Sequence, residues 1–237
     1  MAVSSNAAVA TAPIAIQTDF TASGFLITPP LIDDSECAAI AEAIDDLASD
    51  RAGSRNLLDV AWARSLAIRL KTMCVLQPML PVAAVAIQCT YFDKSPDRNW
   101  RVAWHQDLSA PIQRPETSIA WRCAEKEGVI YVQPPAEVLR QLLAVRVHLD
   151  PSTATNGSLR VIPGSHRHGR IAAADTAKYV STSEAVLCTV PCGGALVLRP
   201  LLLHASSKSL DATPRRVLHF VFAPGAPPTG LRWHRAV

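Results

Sequence analysis

In Trp104-His105-Gln106-Asp107 an imidazole and a carboxylate stand two residues apart. Side chains on an extended strand alternate between faces, so His105 and Asp107 share a face and point at one spot. A third donor comes from far along the chain, where the apolar run Leu201-Leu202-Leu203 ends in His204, about a hundred residues beyond Asp107. Two imidazoles and one carboxylate take three positions on a metal and leave three open, the facial set of non-haem Fe(II) oxygenases. The plainer reading, a strand pair that satisfies backbone donors, covers His105 and Asp107 but leaves His204 unused.

Arg215 lies eleven residues past His204, across the turn-rich stretch Lys208-Ser209-Leu210-Asp211-Ala212-Thr213-Pro214. An antiparallel hairpin there would carry its guanidinium back alongside His204. A planar fork in that place suits the distal carboxylate of 2-oxoglutarate while the other end of the acid chelates iron. Arg216 is an immediate rival. Arg215 alternates with Val217, His219 and Val221, and Arg216 with Leu218, Phe220 and Phe222, so both faces read as buried and the pattern leaves the pair open.

These residues need a rigid frame, and the chain changes texture along its length. Asp33 and Asp34 open a helix in which Ala38, Ile40, Ala41, Ile44 and Leu47 recur at helical spacing, ending near Ser49. A second helical period runs through Leu57, Val60, Ala61, Leu66, Ile68 and Met73 until Pro78 and Pro81 break it. From about residue 82 to residue 224 short β-branched runs separated by turn residues take over, at 84–92, 102–106, 142–149, 158–162, 185–190, 195–203 and 216–222. Strands without regular helices between them favour an antiparallel sandwich or barrel over a parallel sheet. The expected organisation is an unstructured arm over residues 1–15 and a single domain over 16–237, with helices at about 33–75.

Composition narrows the partners. The 237 residues are 49% hydrophobic and 18% charged, far from the signature of disorder. The net charge is +3 with no block of like charge, which argues against a nucleic-acid partner. No apolar run approaches the roughly 20 residues of a membrane helix. Residues 1–15 lack the basic and apolar segments of a secretory signal, and Arg235-Ala236-Val237 is not a peroxisomal address. The six scattered cysteines read as reduced thiols of a cytoplasmic protein, and Cys188-x-x-x-Cys192 lacks the further ligands of a structural zinc. A small-molecule substrate is the remaining partner.

The stretches FDKSPDRNWRVAWHQD (92–107), NGSLRVIPGSHRHGRI (156–171) and HASSKSLDATPRRVLHFVFAP (204–224) resemble the phytanoyl-CoA dioxygenase family of Fe(II)/2-oxoglutarate oxygenases, over roughly residues 20–225. The resemblance implies a jelly roll of the cupin-like, double-stranded β-helix kind, mainly β with helices flanking one outer face. It implies Fe(II) held by His105, Asp107 and His204, and Arg215, Ser206 and Gln88 at the 2-oxoglutarate site. It implies a dioxygenase that uses O2 to hydroxylate, or otherwise oxidise, a small metabolite, with succinate and carbon dioxide as co-products and ascorbate as a reductant in vitro. Halogenating relatives replace the carboxylate ligand with a small residue, so Asp107 points to hydroxylation. At Arg146 many relatives carry an aromatic residue. A cupin-like metal enzyme that does without 2-oxoglutarate, or a non-catalytic binding protein, are the competing readings, and succinate formation separates them.

Residues 109–135 form the longest segment without clear periodicity, directly after the His105 strand, and are expected to be a lid. Trp121, Arg122, Lys126, Gln133 and Arg146 are then the candidate substrate contacts. If Arg122, Lys126 and Arg146 converge, the substrate carries an anionic group. Otherwise the loop cations are solvated and Arg146 pairs with a buried acid. His166 and His168, in a Pro-Gly-Ser-His turn, read as parts of a rigid connection. Lys94 and Asn99 could brace the strand before His105 as readily as touch substrate, and are left out of the expected site.

Overall fold

A computed structural model describes residues 20–45, 54–95, 97–114, 121–225, 227 and 232–237. The expected arm over 1–15 and the end of the first helix near Ser49 lie outside them. The chain runs through β1 (Phe25–Ile27), α1 (Asp34–Asp45), α2 (Ala61–Thr72), β2 (Ala84–Lys94), β3 (Val102–His105), β4 (Ala110–Ile112), β5 (Cys123–Lys126) and β6 (Val129–Val132). It continues through α3 (Ala136–Leu139), β7 (Leu143–His148), β8 (Leu159–Val161), α4 (Ala173–Ser181), β9 (Val186–Cys188), β10 (Ala195–Leu198), β11 (His204–Ser206) and β12 (Arg215–Pro224).

Two antiparallel sheets carry the fold, a larger one in the order β1-β10-β7-β12-β2 and a smaller one in the order β3-β11-β8-β9. This is the expected jelly roll, mostly β, with its long helices on one outer face. Asp33 starts α1 by accepting the Glu36 N–H on its carboxylate at 2.8 Å. The buried stripes of the two helices, Cys37, Ile40, Ala41 and Ile44 on α1 and Ala63, Leu66, Ala67 and Leu70 on α2, join a core with Cys89, Tyr91, Val145, Val147, Phe220 and Phe222 of the larger sheet. The opposite face of that sheet looks toward the smaller sheet, where Ala144, Leu196 and Leu198 meet Leu159, Val161 and Leu202.

Three expectations need correction. The apolar run 195–203 is two elements: β10 belongs to the larger sheet, a turn closes with the Leu202 N–H on the Arg199 carbonyl at 2.9 Å, and β11 begins at His204 in the smaller sheet. Pro200, which has no N–H to donate, marks the break. Arg215 therefore does not return on a hairpin with β11; it crosses to β12, which pairs with β2 and β7 of the other sheet. Residues 109–135 are not an irregular lid either. Those described form a three-stranded sheet in the order β4-β6-β5. Its β5–β6 turn takes Glu127 (φ 51°) and Gly128 (φ 76°), both in the left-handed region, and Arg55 anchors it through a 3.0 Å ion pair to the Glu127 carboxylate. Residues 115–120 lie outside the described set. Among the described residues no helix is long and apolar enough to cross a membrane.

Candidate metal centre

His105 ends β3, His204 begins β11, and the two strands pair with these residues directly opposite each other. Asp107 follows β3 and is pinned by its N–H to the Pro200 carbonyl at 2.8 Å. The result is convergent. His105 Nε2 and His204 Nε2 each lie 3.7 Å from an oxygen of Asp107, and the three donor atoms all fall within 4.8 Å of one another. A single ion can be reached by all three.

Backbone carbonyls set the tautomers. Nδ1 of His105 meets the Ala103 carbonyl and Nδ1 of His204 meets the Leu202 carbonyl, each at 2.9 Å. A carbonyl only accepts, so Nδ1 carries the proton in both rings and Nε2 presents a lone pair to the shared point. Burial lowers the His204 pKa to about 4, which keeps that imidazole neutral. For Asp107 burial opposes ionisation, but the fields of His204, His219, His105 and Arg146 outweigh it and hold the carboxyl below its usual value. A carboxylate and two neutral imidazoles are the donor set a divalent iron needs.

Neighbouring residues brace the set. The buried Gln106 side chain donates to the Gly169 and Leu201 carbonyls at 2.8 and 2.6 Å and accepts the Ile171 N–H at 2.8 Å. It thereby fixes the backbone between His105 and Asp107. The Pro-Gly-Ser-His turn has a related duty: Ser165 Oγ accepts the Leu203 N–H at 2.8 Å, next to His204. His166 faces Gly24, where an added Cβ would sit 2.3 Å from its Nδ1, so it packs against the start of β1 rather than reaching the site. His168 stacks edge-on against Tyr179.

The donors open onto a cavity of about 380 Å3 between the sheets. β12 places the two arginines in different surroundings. Arg215, His219 and Val221 line the cavity, whereas Arg216 faces the helix side of the sheet and is forked by Asp150, with Nε and Nη2 each 2.9 Å from a carboxylate oxygen. Arg215 is buried, its Nε and Nη1 have no partner, and burial beside Arg146 pulls its pKa to about 10. Across the strand pair from it stands Lys94, whose ammonium donates to Ser206 Oγ at 3.0 Å and to the Ser207 carbonyl at 2.6 Å. The Asn156-Gly157 turn passes so close that a Cβ on Gly157 (φ +78°) would lie 2.9 Å from the Lys94 stem. Burial, with Arg215 and Arg146 nearby, lowers the Lys94 pKa to about 8. The unpaired nitrogens of Arg215 lie beside the Lys94–Ser206 pair, a cluster of donors able to meet a carboxylate.

Of the other candidates, Gln88, Lys126, Gln133 and Arg146 line the same cavity with Ser206. Trp121 packs instead against the apolar cluster around Ile87 and Leu142. The Arg122 side chain is exposed, and its carbonyl accepts the Gln133 N–H at 2.9 Å. Arg122 does not join Lys126 and Arg146 in the cavity lining. Among the described residues no acid forms an ion pair with Arg146; its Nη1 lies 2.9 Å from His219 Nδ1. Sequence reasoning missed His219 and left Lys94 out of the expected site. Asn99 does brace, exchanging hydrogen bonds with the Ser209 backbone at 2.8 and 2.7 Å.

A sequence profile of the phytanoyl-CoA dioxygenase (PhyH) family matches residues 20–217. Solved structures share the fold at low identity. The epimerase SnoN in complex with Fe3+, alpha ketoglutarate and nogalamycin RO is 15% identical with a TM-score of 0.67, over 96% of this chain and 94% of that one. EctD from S. alaskensis, with 2-oxoglutarate and 5-hydroxyectoine, is 18% identical with a TM-score of 0.68, over 95% and 80%. AviO1 from Streptomyces viridochromogenes Tue57 is 20% identical with a TM-score of 0.62, over 91% and 96%. No curated protein sequence gives a significant match. The matched span covers most of the sequence and includes the positions of the donor triad, Ser206 and Arg215, and the chain belongs to the phytanoyl-CoA dioxygenase family of Fe(II)- and 2-oxoglutarate-dependent oxygenases.

Proposed function

We propose that the chain is an Fe(II)- and 2-oxoglutarate-dependent dioxygenase that hydroxylates, or otherwise oxidises, a small molecule in the cavity between its sheets. The observation that carries this reading is one cavity with two ends: a two-histidine, one-carboxylate cluster at one and a buried arginine with two unpaired nitrogens at the other. In this reading His105, Asp107 and His204 hold the iron. Arg215 forks the distal carboxylate of 2-oxoglutarate, with Ser206, Lys94 and Gln88 beside it. Bound iron with 2-oxoglutarate and O2 supplies the oxidising chemistry, yielding succinate and carbon dioxide.

The chain's own residues supply placement and shelter. The Nδ1-to-carbonyl bonds keep both Nε2 atoms aimed at the metal without side-chain reorganisation. Gln106 holds the spacing between His105 and Asp107. Leu108, Leu142 and Val221 make part of the cavity wall apolar, which limits the water that could intercept a reactive species. The six free cysteines fit a reducing compartment, the cytoplasm.

Anaerobic protein given Fe(II) and 2-oxoglutarate should develop a weak visible charge-transfer band. With O2 and ascorbate it should release succinate, faster with a true substrate. Iron binding with neither the band nor succinate would favour a metal enzyme that does without 2-oxoglutarate.

A further inference from the structure

The cavity holds more positive charge than an iron and 2-oxoglutarate consume. Lys94, Arg146 and Arg215 are all buried in its wall. Among the described residues lining it, Asp107 is the one acid. Three cations and a divalent metal against that carboxylate leave four positive charges, and the 2-oxoglutarate dianion removes two. A buried cation without a counter-charge is costly. The Lys94 ammonium is already engaged by Ser206 Oγ and the Ser207 carbonyl, and burial lowers its pKa to about 8, whereas an arginine in a protein keeps its proton and both buried arginines of the cavity have unpaired nitrogens. The surplus therefore rests on the arginines, of which Arg215 is already matched to the co-substrate.

Arg146 is near enough to Arg215 to lower its pKa, but it differs from Arg215 in strand position and in its contacts. Along β12 the cavity-facing His219 lies four residues from Arg215, about 13 Å on an extended strand, and His219 is the residue that pairs in register with Arg146. Arg146 feels the field of Asp107, whereas the charges acting on Arg215 are Arg146 and Asp150. Arg146 thus belongs to the metal end. Its guanidinium rests 5.2 Å from the Phe92 ring centroid, its Nη1 donates to His219 Nδ1 at 2.9 Å, and its Nε has no partner. Because arginine only donates, His219 must be the acceptor and therefore neutral; it orients Arg146 and cancels none of its charge.

We propose that Arg146, oriented by His219 and Phe92, recognises an anionic group of the substrate, a carboxylate or a monoanion of similar size, at the metal end of the cavity. The inference rests on the oxygenase reading, because its charge count includes the metal and the co-substrate. An anion held there anchors the substrate by one point and presents a neighbouring carbon toward the His105–Asp107–His204 cluster.

The test is calorimetric titration of protein saturated with Mn(II) and 2-oxoglutarate, which does not turn over. The probes are phenylacetate, hexanoate and methylphosphonate, each beside its neutral amide or ester. At least one anion should bind tenfold or more tightly than its neutral counterpart. Arg146→Gln should erase that preference while changing 2-oxoglutarate affinity less than threefold, and Arg146→Lys should keep part of it. The absence of any anion preference in the unsubstituted protein overturns the proposal, a result that does not depend on whether the variants fold. So does an Arg146→Gln protein whose 2-oxoglutarate affinity falls as far as that of Arg215→Gln, which would make Arg146 a second arm of the co-substrate site. Failure of the Mn(II) protein to take up 2-oxoglutarate is a different result: it sinks the oxygenase reading itself and this inference with it.

Discussion

Replacing Arg215 and Arg216 by alanine, one at a time, should give opposite phenotypes, because adjacent residues on β12 face different interiors. Arg215 is 4% exposed with two unpaired nitrogens and like charges near it in Lys94 and Arg146. It contributes little to the stability of the ligand-free protein, since its burial is uncompensated. Its value lies in the 2-oxoglutarate complex, where its loss strands a buried carboxylate at a cost of about 2–4 kcal/mol. At 1.4 kcal/mol per tenfold, that is a fall of about 30- to 700-fold in co-substrate affinity.

Arg216 has the reverse profile. Its guanidinium is forked by Asp150 and its own N–H donates to Asp150 Oδ2 at 2.8 Å, with side chains 23% and 16% exposed. Arg216→Ala leaves Asp150 half-buried without its guanidinium partner. A fully buried pair would lose about 3–5 kcal/mol; partial solvent access reduces this to about 1–3 kcal/mol. Calorimetric titration of Mn(II)-loaded protein with 2-oxoglutarate reads the first effect and urea unfolding of metal-free protein the second. Arg215→Ala should bind 2-oxoglutarate poorly and unfold within about 1 kcal/mol of the parent. Arg216→Ala should unfold earlier and bind 2-oxoglutarate within threefold of the parent. The opposite assignment of the two phenotypes would refute both the face assignment and the role given to Arg215.

Asp107→Asn keeps the shape of the metal cluster but removes its charge, so the Fe(II)–2-oxoglutarate band should vanish or require more than about tenfold more iron; an unchanged band in anaerobic titration would exclude Asp107 as a ligand. The metal-free protein should lose stability as pH falls below about 6.5, because the unfolded chain takes up protons there that buried His204 (about 4), His219 (about 3) and His148 (well below its ordinary value) refuse until the pH is far lower. The slope reaches at most about 4 kcal/mol per pH unit for three such groups, and urea midpoints that do not change between pH 7 and 5 would contradict it. Gln106→Leu leaves two carbonyls and an N–H at 169, 201 and 171 unpaired and should cost about 2–4 kcal/mol in urea unfolding while loosening metal binding; normal stability would show that water replaces the amide.

The parts of the site legible in the sequence were those whose spacing is local. His105 and Asp107 sit two apart, and the helices α1 and α2 bury stripes at helical spacing. Two failures lay where hydrophobic periodicity carries no information. The run 195–203 is equally apolar whether it stays in one sheet or crosses to the other, and Pro200 was the only local sign of the crossing. All four residues of β5 are exposed, so neither of its faces had an apolar alternation to reveal a strand. The Arg146–His219 contact joins residues 73 apart and depends on the register of β7 against β12, which no local pattern records.

A finer signal was nevertheless present. In the larger sheet both faces are buried, but they are buried against different things: the helix side against hydrocarbon, the cavity side against ligand-binding space. Polar residues should then collect on one parity of each strand. Apart from Asp93, which pairs in register with Arg216 near the end of β2, they do so: Gln88, Thr90 and Lys94 alternate with Cys89 and Tyr91 on β2, and Arg146 and His148 alternate with Val145 and Val147 on β7. On β12 the interior polar residue is His219, which shares its parity with Arg215, while Arg216 shares its own with Leu218, Phe220 and Phe222. Hydrophobicity could not choose between the two arginines, but the company of His219 points to Arg215. Arg216 can face the helix side because it stands at the first turn of the strand, where Asp150 and the end of α1 at Asp45 meet it with carboxylates. The same parity rule would have moved Lys94 into the cavity, since it continues the series Gln88, Thr90 and Phe92 rather than the loop that follows.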